Sequence, residues 1–151
     1  MRGWMIVCTV LVVVLAIGCA PSGGIAAGGA ASGEAVPLEG TQWRLVELGG
    51  RPSRPAGEGA PNLRLHASEK RAGGNTGCNS FGGEYELNGE SLRFGVLVST
   101  RRACLEDALN AQEAAYIRAL SDTRTWRITG STLVLSGEAG VVARFAAQPA
   151  G

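Results

Sequence analysis

The sequence predicts an α+β fold: a small antiparallel β-rich sheet, or partly closed barrel, with one packed helix. Two observations carry that expectation. The stretches Tyr85–Phe94 (YELNGESLRF) and Trp126–Leu135 (WRITGSTLVL) repeat one pattern, with aromatic, aliphatic, Gly, hydroxyl, Leu and apolar residues at matched spacing. Each reads as a two-stranded hairpin around a central turn. Between them, a run near Glu106 to Leu120 is rich in Ala and sets Leu109, Tyr116 and Leu120 on one stripe, as an amphipathic helix does.

The remaining elements follow in chain order, within a domain expected over residues 38–147. Trp43, Leu45 and Leu48 follow a turn signal at Glu39-Gly40 and read as a first strand. Gly49 to Pro61 is rich in Gly and Pro and reads as loop. Leu63 and Leu65 alternate within a short strand from Asn62 to Ala67, and Arg71 to Gly77 reads as polar turn. In the first hairpin Asn88-Gly89 suits a type I′ turn; in the second Gly130-Ser131 suits type II′. In either register Tyr85, Leu87, Leu92 and Phe94 share a face, as do Trp126, Ile128, Leu133 and Leu135. Glu106 and Asp107 fall where a helix N-terminus favours negative charge, and Ser121-Asp122-Thr123 ends the helix. Val141, Ala143 and Phe145 form a closing strand after a turn at Gly137–Gly140. Trp43 and Trp126 are expected in one core, with Leu109 and Leu120 packed over the sheet.

The N-terminal third is different in kind. Met1-Arg2 is followed by an uncharged run, WMIVCTVLVVVLAI, and then Gly18-Cys19. A positive start, a short apolar stretch and small residues before a cut describe a signal peptide over residues 1–18. Ala16-Ile17-Gly18-Cys19 resembles a lipobox, with Ala16 where Leu is usual, so Cys19 is the expected lipidation site. Ala20 after it resembles outer-membrane sorting in a host with two membranes. Residues 19–37 (CAPSGGIAAGGAASGEAVP) carry one charge and almost no bulky side chain, and read as a flexible tether; residues 148–151 form a tail.

Of the four cysteines, Cys8 leaves with the signal and Cys19 carries lipid. Cys78 and Cys104 remain, and in an exported protein an even pair reads most simply as one disulfide. Free structural thiols, a reactive pair and a metal site are the alternatives. Lys and Arg number 14 against 13 Asp and Glu, a net charge of +1 that argues against nucleic acid as a partner.

Several motifs together resemble the META (HslJ-like) domain family. Gly40-Thr41-Gln42-Trp43 is similar to its G-T-x-W, and Gly77-Cys78-Asn79 with Phe81, Gly83 and Tyr85 to its G-C-N-x-F-x-G-x-Y. Thr100 to Cys104 is similar to its T-x-M-A-C, with Arg102 in place of Met. The resemblance runs from about Leu38 to Phe145. It implies an envelope location, often as a lipoprotein, with some members tied to heat shock or antibiotic tolerance. It brings no catalytic mechanism.

The candidate chemistry is sparse. Cys78 and Cys104 lack the C-x-x-C redox spacing. A zinc site wants three or four ligands, and His66 is the only histidine. His66 beside Cys104 would make a nucleophile and base, but it reads as a solvated strand-end residue. Glu84, Glu86 and Glu90 read as solvent-face charges. Gly73-Gly74-Asn75-Thr76-Gly77 lacks the G-K-[ST] of a phosphate loop and reads as a turn. Arg101 and Arg102 make a small positive spot. No catalytic residue, metal or cofactor is therefore expected. The leading expectation is a monomeric, lipid-anchored, non-enzymatic binding or assembly module with an envelope protein partner. An exported inhibitor using the Gly49–Pro61 loop and a thiol-dependent enzyme are the alternatives.

Overall fold

The computed structural model describes residues 36–55 and 59–148. The expected signal peptide, Cys19, most of the tether, and residues 149–151 of the tail lie outside the described residues. The elements run β1 (Trp43–Leu48), β2 (Arg51–Pro52), β3 (Asn62–His66), β4 (Arg71–Asn75), β5 (Ser80–Asn88), β6 (Ser91–Phe94), β7 (Val98–Ser99), α1 (Asp107–Ser121), β8 (Thr125–Thr129), β9 (Thr132–Gly137) and β10 (Gly140–Ala147).

Every strand pairing is antiparallel. The order is β10-β9-β8-β6-β5-β4-β3-β1-β2, and β1 also pairs β10, so the sheet curls back on itself. Two seams are thin. β6 meets β8 at one residue pair, Ser91 with Thr125, and β1 meets β3 at Trp43–Leu63 and Arg44–Asn62. The result is a partly closed barrel with one helix among the described residues.

The core is the inward face of the strands. Trp43, Leu45, Leu63, Leu65, Leu92, Leu133, Leu135 and Phe145 are almost wholly removed from water. In β1 the alternation slips at Val46, where a bulge separates Leu45 from Glu47 in the pairing with β10. That extra residue explains why the apolar positions fall at 43, 45 and 48. A second irregularity between Val141 and Ala143 turns Val141 outward, while Ala143 and Phe145 stay buried.

The repeated hairpins are present and share one turn geometry. Asn88 pairs Ser91 around Gly89-Glu90, and Thr129 pairs Thr132 around Gly130-Ser131. Gly89 and Gly130 have φ of 56° and 58°, the positive value needed at the first position of a type II′ turn. The first turn thus sits one residue later than Asn88-Gly89, and each apolar set keeps its face.

Two expectations about the core need correction. Trp126 is half-buried, because it stands at the thin β6–β8 seam. Its indole Nε1 donates to the Gly89 carbonyl at 2.9 Å, tying the second hairpin to the turn of the first. Leu109 lies outside the core. The buried positions of α1 are Tyr116, Ala119 and Leu120, and the preceding turns face the Cys78–Cys104 region instead. Tyr116 closes the barrel interior: its ring meets Phe81 edge-on at 5.7 Å, and its hydroxyl donates to the Asn62 carbonyl at 3.0 Å.

Arg71 to Asn75 is also not a turn. It forms β4, paired with both β3 and β5. Its glycines concealed the strand, and packing requires one of them. A Cβ on Gly74 would lie 2.1 Å from the Asn62 carbonyl oxygen, whereas one on Gly73 meets nothing closer than 3.5 Å.

Equilibrium denaturation should therefore rank substitutions clearly. Leu120→Ala should cost about 2–5 kcal/mol, and Leu109→Ala under about 1 kcal/mol. Gly74→Ala should destabilise by about 1–3 kcal/mol, while Gly73→Ala should be neutral or mildly stabilising. Equal losses at positions 109 and 120 would show that the helix docks along its whole length.

Candidate functional site

The motif residues gather in two places. The first is the turn from β4 into β5 and the segment 100–104 facing it. Gly77 enters this turn with φ of 106°, a value that favours glycine. Thr76 and Asn79 close the turn on each other: Thr76 N donates to the Asn79 carbonyl at 2.7 Å, and Asn79 N to Thr76 Oγ1 at 3.0 Å.

The buried Asn79 amide then reaches across the gap. Its Nδ2 donates to the Arg102 carbonyl at 2.8 Å and to the Glu113 carboxylate oxygens at 2.9 and 2.8 Å. Its Oδ1 accepts from Thr100 Oγ1 and from Arg102 N, both at 2.7 Å. One buried side chain thus uses its donors and acceptor together, as its burial requires. Asn79 reads the backbone of residue 102, which is why an exposed Arg is accommodated where Met is usual.

Beside this clamp Cys78 and Cys104 form a disulfide, with Cα atoms 5.7 Å apart and a sequence separation of 26. Loop-closure entropy makes such a bridge worth roughly 3 kcal/mol. Asn110 Oδ1 accepts from Cys104 N at 3.0 Å, and Glu113 Oε2 lies 3.8 Å from Cys104 Sγ. Asn110 and Glu113 were missed in the sequence. Their three-residue spacing puts them on one helix face, but nothing local says which turn that face meets.

The second gathering is at the other motif residues. Gly40 turns the chain at φ of 82°, and its N–H donates to the Leu65 carbonyl at 2.8 Å. Trp43 Nε1 donates back to the Leu38 carbonyl at 2.9 Å. Gly83 has no room for a side chain, since a Cβ would lie 2.6 Å from the Val96 carbonyl oxygen. The Tyr85 hydroxyl donates to Glu39 Oε1, and Lys70 Nζ reaches the same oxygen at 2.9 Å. Lys70 also stands 5.6 Å from the Tyr85 ring centre. The hydrogen bond from Lys70, then that from Tyr85, holds the Glu39 carboxyl below its usual range. Burial, then Glu39, pushes the Tyr85 phenol well above its usual value.

Lys70 and Tyr85 open onto a shallow groove of about 480 Å³, walled by Glu69, Glu84, Glu86 and Arg93. Glu86 pairs Arg93 across the strands, and Arg71 pairs Glu84. The mixed signs make an alternating face with no dominant field. His66 is exposed at the end of β3, and the group beside Cys104 is Glu113.

The META domain family matches residues 36–150. The chain belongs to the META domain family. An NMR structure of a protein from Burkholderia xenovorans is 25% identical with a TM-score of 0.61, covering 75% of this chain and 85% of that one. A DUF4847 family protein from Bacteroides vulgatus, at 15% identity and a TM-score of 0.53, covers 76% of this chain and 96% of its own and shares the fold. No curated protein matches the chain. In both gatherings the motif residues chiefly position backbone.

Two measurements check this. Asn79→Asp sets a second carboxylate against Glu113 and removes the donor to Arg102, so at neutral pH it should cost at least about 2 kcal/mol. That loss should shrink in acid as one carboxyl takes a proton. Glu39, held below its usual range, contributes stability that is present above its ordinary value of 4.5 and lost as pH falls through the depressed folded value. Glu39→Gln should therefore flatten the acid limb of the stability profile, and an unchanged limb would remove Glu39 from the account.

Proposed function

We propose that the protein is a lipid-anchored envelope protein whose META domain is a non-enzymatic binding or assembly module. The observation that carries this reading is an exposed apolar stretch between β6 and α1. Val96 is 85% exposed, Val98 69%, and Leu105 is fully exposed at 104%. Val96 and Val98 flank Leu97 in the chain, and neighbouring large apolar side chains in water mark a surface suited to meeting something else. Val98 pairs with Gly82 of β5, so it stands beside a position with no side chain.

The two cysteines and the Glu39–Lys70–Tyr85 group support the same reading by being engaged with one another. Cys78 and Cys104 are bonded to each other, and Glu39, Lys70 and Tyr85 hold one another. The anchor rests on the sequence, through Gly18-Cys19 after an apolar run. Within Gly49–Pro61, expected to be loop, Arg51–Pro52 pair with β1 as β2; the rest of the stretch is a second candidate contact region. Arg54 exchanges two 2.8 Å hydrogen bonds with the Gln112 side chain, which tie residue 54 to the helix. Gly73–Gly77, which reads in the sequence as a turn, is strand through Asn75 and offers no free loop as a contact region.

In the native host, Cys19→Ser should leave unprocessed precursor and abolish labelling by a fatty-acid analogue. Equal labelling of variant and parent would overturn the anchor. Val96→Asp with Val98→Asp should leave folding intact and weaken crosslinking to envelope partners, while His66→Ala should not. Loss of function in a folded, correctly anchored His66→Ala would favour an enzyme.

A further inference from the structure

Glu113 adds a third ligand to the Cys78–Cys104 pair, which alone is too few for a metal site. The Sγ atoms of Cys78 and Cys104 and a carboxylate oxygen of Glu113 all lie within 4.8 Å of one another. We propose that in the dithiol state Cys78, Cys104 and Glu113 bind a thiophilic divalent cation, Zn²⁺, so that metal and disulfide are mutually exclusive occupants of one site.

Three features of the geometry support it. The first is spacing. With Zn–S of about 2.3 Å and Zn–O of about 2.0 Å, a tetrahedral site has an S···O edge of about 3.5 Å. Glu113 Oε2 already stands 3.8 Å from Cys104 Sγ. Breaking the S–S bond lets the sulfurs separate to van der Waals distance, close to the S···S edge of the same tetrahedron.

The second is that the ligands are held without help from the disulfide. Asn79 adjoins Cys78 in the chain, and its amide grips both backbone groups of Arg102, two residues before Cys104. Asn110 holds the Cys104 backbone N–H. Reduction therefore leaves the two thiols facing each other, and the chain entropy of gathering them is already met by the clamp.

The third is orientation of the carboxylate. The Asn79 amide donates to both Glu113 oxygens at 2.9 and 2.8 Å. Metal-ligating carboxylates are characteristically held by such outer hydrogen bonds. A disulfide sulfur has no proton to offer Glu113, whereas a cation between the sulfurs gives that charge a partner. Two thiolates and a carboxylate make a 3− donor set, which suits Zn²⁺ with a water in the fourth position.

A trialkylphosphine supplies the two electrons that open the disulfide. It becomes a phosphine oxide by taking oxygen from water, and the two water hydrogens end on Cys78 and Cys104 Sγ. Zn²⁺ then displaces the two thiol protons into solvent. Oxidation by a disulfide oxidant reverses the process: the oxidant takes two electrons, the S–S bond re-forms and the metal leaves. This inference does not rest on the lipid-anchored reading.

The test uses the full chain in detergent, carrying Cys8→Ser and Cys19→Ser to remove other thiols. Zn²⁺ uptake is measured by equilibrium dialysis, with and without the phosphine, and Co²⁺ is used as a spectroscopic probe. The reduced chain should take up about one Zn²⁺ and show tetrahedral Co²⁺ bands with thiolate charge transfer, and the oxidised chain should take up none. Glu113→Gln should weaken binding about tenfold or more, and Cys78→Ser should abolish it, both with the near-ultraviolet tryptophan signal of the parent. No uptake by the reduced chain, equal uptake by the oxidised chain, or unchanged affinity in Glu113→Gln would each overturn the proposal. So would loss of the tryptophan signal on reduction, because the clamp would then not be what holds the ligands.

Discussion

Three segments of this domain meet at Asn79. Its backbone closes the β4–β5 turn on Thr76, and its carboxamide joins that turn to the loop before the helix through Arg102 and to the helix through Glu113. Buried amides tolerate little deviation, because each unmet donor or acceptor costs about as much as a whole hydrogen bond gains. The satisfied network therefore specifies one position for the chain between Thr100 and Cys104, a stretch with no regular secondary structure of its own. The disulfide adds to this mainly by restricting the unfolded chain, whereas Asn79 selects the folded geometry. The two act on different states, so their contributions need not be redundant.

Closure of the sheet presents a different constraint. A barrel made of short strands can leave its thinnest pairings under-hydrogen-bonded, and here each thin seam carries a tryptophan. Trp43 stands where β1 meets β3 and donates its indole N–H to Leu38. Trp126 follows the single β6–β8 pair and donates to Gly89. Each ring covers apolar interior beside a thin seam; the Trp126 indole adds a bond across the β6–β8 seam, while that of Trp43 ties β1 to the segment just before it. The interior is then filled from the helix by Tyr116, whose hydroxyl meets a β3 carbonyl.

The sequence disclosed these elements unevenly. The hairpins were legible because period-two alternation and turn glycines act locally, and the same two-residue turn recurs at Gly89 and Gly130. The helix was legible in extent but not in docking: Leu109 and Leu120 look alike on a stripe, and only the sheet's edge decides which is covered. β4 was hidden by Gly73 and Gly74. Glycine lowers strand propensity, yet Gly74 is required because the β3 backbone passes where its side chain would be. At the motif, Cys78 and Cys104 could be paired by elimination. The partners of Asn79 could not, since Arg102 contributes only backbone and Glu113 lies 34 positions away.

The same clamp bears on how the exposed stretch would bind. The chain from Gly95 to Leu105 is tied at one end by Gly95 N to the Glu84 carbonyl at 2.9 Å, and at the other by Asn79 and the disulfide. Between them Leu97 turns inward and packs on the core, leaving Val96 and Val98 outward on either side of it. Such a segment is held at both ends, so a partner meeting Val96 and Val98 would have less ordering entropy to supply. Gly83 is part of the arrangement: a side chain there would push Val96 and Leu97 off β5 and dissolve the ridge. On this view the motif glycine and the motif asparagine, far apart in role, serve one end. They hold an apolar edge in water in a fixed shape, where an unrestrained loop with the same residues would collapse onto the domain.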